Sequence, residues 1–253
     1  MKYLFRPDEL KKGIRGEICG LDFLSCQRLE LGADNPAITV RSGAEEVVVV
    51  CIAGQATYAC EGSVGRVDFK DLIYLPRKSQ VDLQVEHHTV LMRIGAPSDR
   101  DTDFAPIRFS DVDRDPARHQ VFGSAANNTQ RDVYMYIDDT FNASRLLVGI
   151  GQGSPGGWTV WPPHEHGDEK EELYVYFDMA GGFGIQCLYE SLDNPTACEI
   201  VREGDMMAVP RGFHPNVGCP AGRISYIYAM AARVAGQRNF MALRFQEEFG
   251  TGF

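Results

Sequence analysis

Short apolar runs recur along the whole chain, each broken off by Gly, Pro, Asn or Asp. They include EVVVVCIAG (46–54), DLIYLP (71–76), TVLMRIG (89–95) and RLLVGIG (145–151), then ELYVYFDMAG (172–181), GIQCLYE (184–190), DMMAVP (205–210) and ISYIYAMA (224–231). Their Val, Ile, Tyr and Phe content, length and spacing predict strands of an all-β sandwich or barrel. Helix is expected only near 7–13 and 236–248.

Two blocks of this pattern occur twice in the same order. EEVVVVCIAG (45–54) matches EELYVYFDMAG (171–181), and KDLIYLPRKSQVDL (70–83) matches GDMMAVPRGFHPNV (204–217). Asp71, Pro76 and Arg77 then stand in step with Asp205, Pro210 and Arg211. Repetition of strand–turn blocks predicts a duplicated β-barrel, divided into residues 1–110 and 111–253, with the polar stretch 97–130 as connector. This alignment sets Glu46 against Glu172 and Gln80 against His214, and no histidine lies just ahead of Glu46. The first half reads as scaffold, the second as the half that carries a site.

Composition narrows the partners. The chain has 253 residues, 44% hydrophobic and 24% charged, the balance of a soluble globular protein. No apolar run approaches the ~20 residues of a membrane span. The charged beginning, MKYLFRPDELKKGIRG, is unlike a secretory leader and predicts a cytoplasmic protein. A formal charge of −10 without a basic cluster argues against nucleic acid or an anionic membrane as partner. Seven cysteines without a CxxC pair predict buried, reduced thiols.

The candidate chemistry lies in WPPHEHGDEKEELYVYF (161–177). Alternation puts His164 and His166 on one face of a strand. After a short turn Glu172 heads the next strand, with Glu171 as its competitor, and His214 follows a PRG turn. Three imidazoles and a carboxylate form a mixed N/O set suited to Zn²⁺, Mn²⁺, Fe²⁺, Ni²⁺ or Co²⁺. An isolated HxH is more often a solvated turn; the carboxylate and the third histidine turn the balance toward metal. His87, His88 and His119 have no such context and read as surface or loop residues.

HxH, then Glu, then G(x)5PxGxH resembles the two-block pattern of the cupins. Within them, residues 130–231 are most similar to the 5-deoxy-glucuronate isomerases of myo-inositol breakdown, with the 5-keto-4-deoxyuronate isomerases of pectin breakdown as near cousins. The resemblance implies a bicupin, two tandem double-stranded β-helix barrels with metal ligands His164, His166, Glu172 and His214 in the second alone. Trp161 and Glu165 depart from the residues usual in that family. One divalent ion is implied, zinc first, with manganese or iron as alternatives. The implied reaction is aldose–ketose isomerisation of an open-chain sugar acid, by proton transfer or by a hydride shift.

Strand alternation then nominates Tyr174 for a proton relay or a substrate hydrogen bond, with Tyr176 more plausibly core. Gln186 is a candidate for a substrate hydroxyl. A substrate carboxylate calls for a guanidinium; Arg131 ranks ahead of Arg211 and Arg223, because Arg211 is matched by Arg77 in the half without a site. A metal-dependent dioxygenase and a sugar-binding or storage cupin are the competing classes. A homo-oligomer is expected, with the first barrel as packing or interface surface.

Overall fold

The computed structural model describes residues 1–253, the side chain of Glu17 excepted. Two large antiparallel sheets dominate, one per half. The first runs in the order Ala105–Ile107, Leu72–Leu75, Glu45–Ala53, Thr89–Pro97, Ser25–Leu31, Ile14–Arg15. The second runs Leu4–Phe5, Met206–Val209, Lys170–Tyr176, Ser225–Ala232, Leu146–Gly153, Arg131–Ile137, His119–Phe122. Each is backed by a smaller sheet to make a barrel. Ala37–Arg41, Gln80–Gln84, Ala56–Cys60 and Ser63–Val67 close the first, and Ala197–Val201, Gly184–Leu188 and Asn216–Gly218 the second.

The two large sheets pack on each other, so their central strands are buried on both faces. This explains the unbroken apolar run of Glu45–Ala53 where a half-exposed strand would alternate. Val48, Val50 and Ile52 join Leu173, Val175 and Phe177 in one cluster between the sheets. Val47, Val49 and Cys51 face the first barrel's interior with Ile73 and Leu75. Tyr174, Tyr176, Tyr226 and Tyr228 face the second's. The first interior is filled by aliphatic side chains; the second holds polar tips on large rings.

One strand crosses between the halves: Leu4–Phe5 pairs with Met206–Val209 of the second sheet, whereas Ala105–Ile107, within the connector, pairs with Leu72–Leu75 of the first. A cut between residues 110 and 111 falls inside the helix Phe109–Arg114, so the connector 97–130 is partly structured. Pro7–Leu10 is helical as expected. The expected helix over 236–248 is not formed: this stretch contains the strand Arg244–Phe245 and the 3-10 turn Glu247–Phe249. Tertiary contacts override its weak helical pattern. Lys170 Nζ donates to the carbonyls of Asn239 (2.6 Å) and Ala242 (2.7 Å), and Arg244–Phe245 pairs with His164–Glu165.

Register also corrects the repeat alignment by one residue. Val47 pairs with Leu75 just as Glu172 pairs with Val209, and Leu75 and Val209 both precede a Pro-Arg pair. Glu46 is therefore the counterpart of Glu171, and Val47 that of Glu172. A one-residue slip moves a side chain to the other face of a sheet. Glu46 and Glu171 accordingly lie at the contact between sheets, and Glu172 points into its barrel. The cysteines too are only partly as expected: Cys19, Cys26, Cys51 and Cys60 are buried, whereas Cys187 and Cys219 are half-buried and Cys198 is exposed.

Candidate metal centre

His164 and His166 flank Glu165 at the second barrel's mouth, both buried, while Glu165 points the other way and pairs with Arg244. Glu172 opens the inward-facing row Glu172–Tyr174–Tyr176. His214 follows Gly212, whose φ of +96° and close approach to the Tyr189 carbonyl leave no place for a Cβ.

The ring nitrogens of His164, His166 and His214 offer one ligand atom each, all within 4.8 Å of one another. Glu172 Oε2 lies 3.0 Å from His166 Nε2 and 3.1 Å from His214 Nε2. His214 Nδ1 is taken up by the Gly212 carbonyl at 2.8 Å, which directs Nε2 to the centre. That Nε2 is buried without a hydrogen bond of proper direction, as is His166 Nδ1. Buried polar atoms are seldom left unpaired, so the donor set fits a divalent ion. Burial, with the neighbouring imidazoles His214 and His166, pushes the His164 pKa well below the ordinary histidine value, and burial lowers that of His166. Burial alone would raise the Glu172 pKa; the adjacent His166 and His214 outweigh it and hold the carboxyl low. Neutral imidazoles at His164 and His166 beside the Glu172 carboxylate are protonation states a metal site needs.

The same cavity takes in Arg131, Thr159, Tyr174, Tyr226 and Tyr228. Arg131 is 3% exposed and its hydrogen bond goes to the Thr129 carbonyl at 3.2 Å; among the described residues no carboxylate pairs with it. Its guanidinium stacks on Phe253 and Phe122, 4.9 and 5.6 Å from their centroids. Arg211 and Arg223 are engaged elsewhere, with Asp168 and Asp178. Tyr174 lines the cavity, its ring 6.0 Å from that of His214. Gln186 does not reach the cavity. It is fully buried, accepts from Tyr176 and Asn216, and donates to the His214 carbonyl at 2.6 Å, so it braces a ligand loop. Tyr176, thus engaged, is core. Glu171 is engaged with backbone N–H groups of residues 22–24.

Tyr226 and Tyr228 were legible from the alternation in ISYIYAMA, which carries them inward together with Met230. Gly149 and Gly151 on the next strand make their room: a Cβ there would meet the Tyr228 hydroxyl at 2.1 Å and the Tyr226 ring at 2.6 Å. Nothing in the sequence pattern announced Phe240, Leu243 and Phe253, which close the cavity from the tail. Trp161 and Glu165, the two departures from the family pattern, both touch this tail, through Phe249 and Arg244. The cavity volume is about 60 Å³, room for a few waters.

Residues 7–248 match the KduI/IolB family, and the chain belongs to it. A 4-deoxy-L-threo-5-hexosulose-uronate ketol-isomerase of Rhizobium meliloti is 26% identical over 191 residues, 74% of this chain and 65% of the relative. A 5-deoxy-glucuronate isomerase of Geobacillus kaustophilus is 30% identical over 117 residues, 43% of this chain and 42% of that one. The chain thus spans under two thirds of the length of these curated relatives. In fold, it is similar to an IolB-like protein of Salmonella typhimurium LT2 (TM-score 0.83, 23% identity, 98% of both chains). It is also similar to Bacillus subtilis oxalate decarboxylase (TM-score 0.65, 12% identity, 97% of this chain and 79% of that one). The fold is the all-β bicupin.

Proposed function

We propose that the protein is a metal-dependent aldose–ketose isomerase of an open-chain deoxy-uronate, converting 5-deoxy-glucuronate to 2-deoxy-5-keto-gluconate. One observation carries the reading: one cavity is lined by His164, His166 and Glu172 of the histidine–carboxylate cluster and by a buried guanidinium that, among the described residues, has no carboxylate partner. An acid bearing a carbonyl and an adjacent hydroxyl satisfies both ends. The names of the relatives, all uronate isomerases, support the same chemistry.

A divalent ion held by His164, His166, Glu172 and His214 would supply Lewis-acid polarisation of the two substrate oxygens. Arg131 would take the carboxylate in a bidentate pair, fixing which end of the sugar faces the histidines. Burial and the Glu172 carboxylate raise the Tyr174 pKa well above the ordinary tyrosine value, so its phenol would donate a hydrogen bond rather than take a proton. Among the described residues the cavity wall carries one carboxylate, Glu172, and a ligand is not free to act as base. This favours a hydride shift over an enediolate. The C–H bond at the carbinol carbon breaks, a C–H bond forms at the carbonyl carbon with the same electron pair, and the hydroxyl proton passes to the former carbonyl oxygen.

The 4-deoxy-5-hexosulose-uronate is the second substrate to consider, because the Rhizobium relative matches the larger share of this chain. The test offers both uronates to protein stripped with chelator and reloaded with zinc or manganese. Turnover of 5-deoxy-glucuronate, lost in His164→Ala, supports the reading; turnover of neither uronate with metal bound overturns it.

A further inference from the structure

Cys187 lies on Gly184–Leu188 directly across from Cys198 on Ala197–Val201, and their Sγ atoms are 3.8 Å apart. The backbone N–H of Cys187 donates to the Pro215 carbonyl, on the side away from Cys198. In an antiparallel ladder the residue opposite on the other side is then a non-hydrogen-bonded partner, whose Cα approaches to ~4.5 Å. Disulfides span Cα separations of ~4.4–6.8 Å. The pair sits on the outer face of its sheet beside the exposed Ile185 and Ile200, where a small molecule can reach Cys198. Cys219, by contrast, is engaged with the Ala221 carbonyl and the Phe183 N–H, and the four cysteines of the first half are buried.

We propose that Cys187 and Cys198 form a redox-modification site, a cross-strand dithiol that closes reversibly on reaction with a low-molecular-weight disulfide such as oxidised glutathione. The exposed Cys198 thiolate attacks one glutathione sulfur, the glutathione S–S bond breaks, and one glutathione thiolate leaves. The Cys187 thiolate then attacks the Cys198 sulfur of the mixed disulfide and expels the second glutathione thiolate. Two protein thiols are oxidised, one glutathione disulfide is reduced, and the two protons lost by the cysteines end on the two glutathione thiols. Burial, with the adjacent Cys198 thiol, pushes the Cys187 pKa up to about 11, so the closing step quickens as pH rises toward that value. An exposed cross-strand bond of this kind belongs with the readily reduced disulfides.

The test incubates the full chain with excess oxidised glutathione at mildly alkaline pH and maps its peptides by mass spectrometry without reductant. Expected is a loss of two free thiols and a peptide containing Cys187 linked to one containing Cys198, separated again by dithiothreitol. Cys187→Ser should stop at a glutathione adduct on Cys198, and Cys198→Ser should leave Cys187 largely unmodified. Glutathione adducts on both cysteines without a cross-link, or two unreacted thiols in the folded wild type, would overturn the proposal.

Discussion

Glu46 and Glu171 stand at equivalent positions in the two halves, and each carboxylate grips the other half's chain. Glu46 accepts from the backbone N–H groups of Ser144, Arg145 and Leu146 at 2.6–2.8 Å, and Glu171 from those of Asp22, Phe23 and Leu24 at 2.7–2.8 Å. Both gripped segments enter the corresponding strand of their own sheet, Leu146–Gly153 and Ser25–Leu31. With the strand Leu4–Phe5 paired to the second sheet, these reciprocal contacts tie the two barrels together.

Adjacent glutamates on one strand should therefore fail in opposite ways. Glu171→Ala leaves three backbone donors without their partner and should cost on the order of 3 kcal/mol or more, with metal binding retained in the folded fraction. Glu172→Gln should abolish tight metal binding in a chain that still folds. Chemical denaturation beside metal analysis separates the two; metal loss in Glu171→Ala at full folding would contradict the assignment.

Arg131→Lys keeps a charge and loses the planar fork. Charge-assisted hydrogen bonds contribute about 1.5–3 kcal/mol, so kcat/KM for the uronate should fall roughly ten- to a hundred-fold, mostly through KM. A neutral open-chain aldose serves as control, and its slow turnover should be unchanged. Equal losses for acid and neutral sugars would deny Arg131 its role.

Phe253 covers one side of the cavity, stacking on Arg131 and lying 5.5 Å from the His164 ring. A cation–π contact of this kind is worth about 0.5–2 kcal/mol. Phe253→Ala should loosen the closure and lower KM several-fold with kcat little changed. A raised KM would mean that Phe253 contacts substrate instead.

The metal-free protein should lose stability in acid. The folded pKa values of His164 and His166 lie below the unfolded value of about 6.5, so the unfolded chain binds the extra protons. Stability is full above that pH and falls as pH drops below it. Glu172, also held low, adds loss of the same sign below about pH 4. Bound metal should raise stability at neutral pH and steepen the loss in acid, where protons compete with it for the histidines. Thermal melts with and without metal read this directly, and coincident curves would contradict it.

The hydride route is tested by turnover in heavy water. The migrating hydrogen should be retained, with negligible solvent deuterium at the carbon that receives it. Full exchange would establish an enediolate and require a base outside the present assignment.

Much of this was legible in the chain because the information was local. The Val, Ile, Tyr and Phe content, length and spacing of the apolar runs marked the strands, and HxH, Glu and PRGFH marked four side chains that the fold brings together, since each lies on a strand or turn of recognisable pattern. The equivalence of Glu46 was misjudged because apolar runs buried on both faces carry no alternation to fix register; only the pairing of Val47 with Leu75 reveals it. Gln186 looked like a lining residue because it alternates inward, yet Tyr176 and Asn216 consume its amide oxygen before it reaches the cavity. The tail, 70 or more residues from His164 and His166, had no periodic signal and reaches them through Lys170, Glu165 and Arg131.

The most direct measurement is metal content and turnover on the same preparation, wild type beside His214→Ala. The account predicts one divalent ion per wild-type chain with isomerisation of 5-deoxy-glucuronate, and loss of both in the variant while its melting curve stays cooperative. A wild-type protein that turns over the uronate equally well after exhaustive chelation, or a His214→Ala variant that keeps both metal and activity, would contradict it.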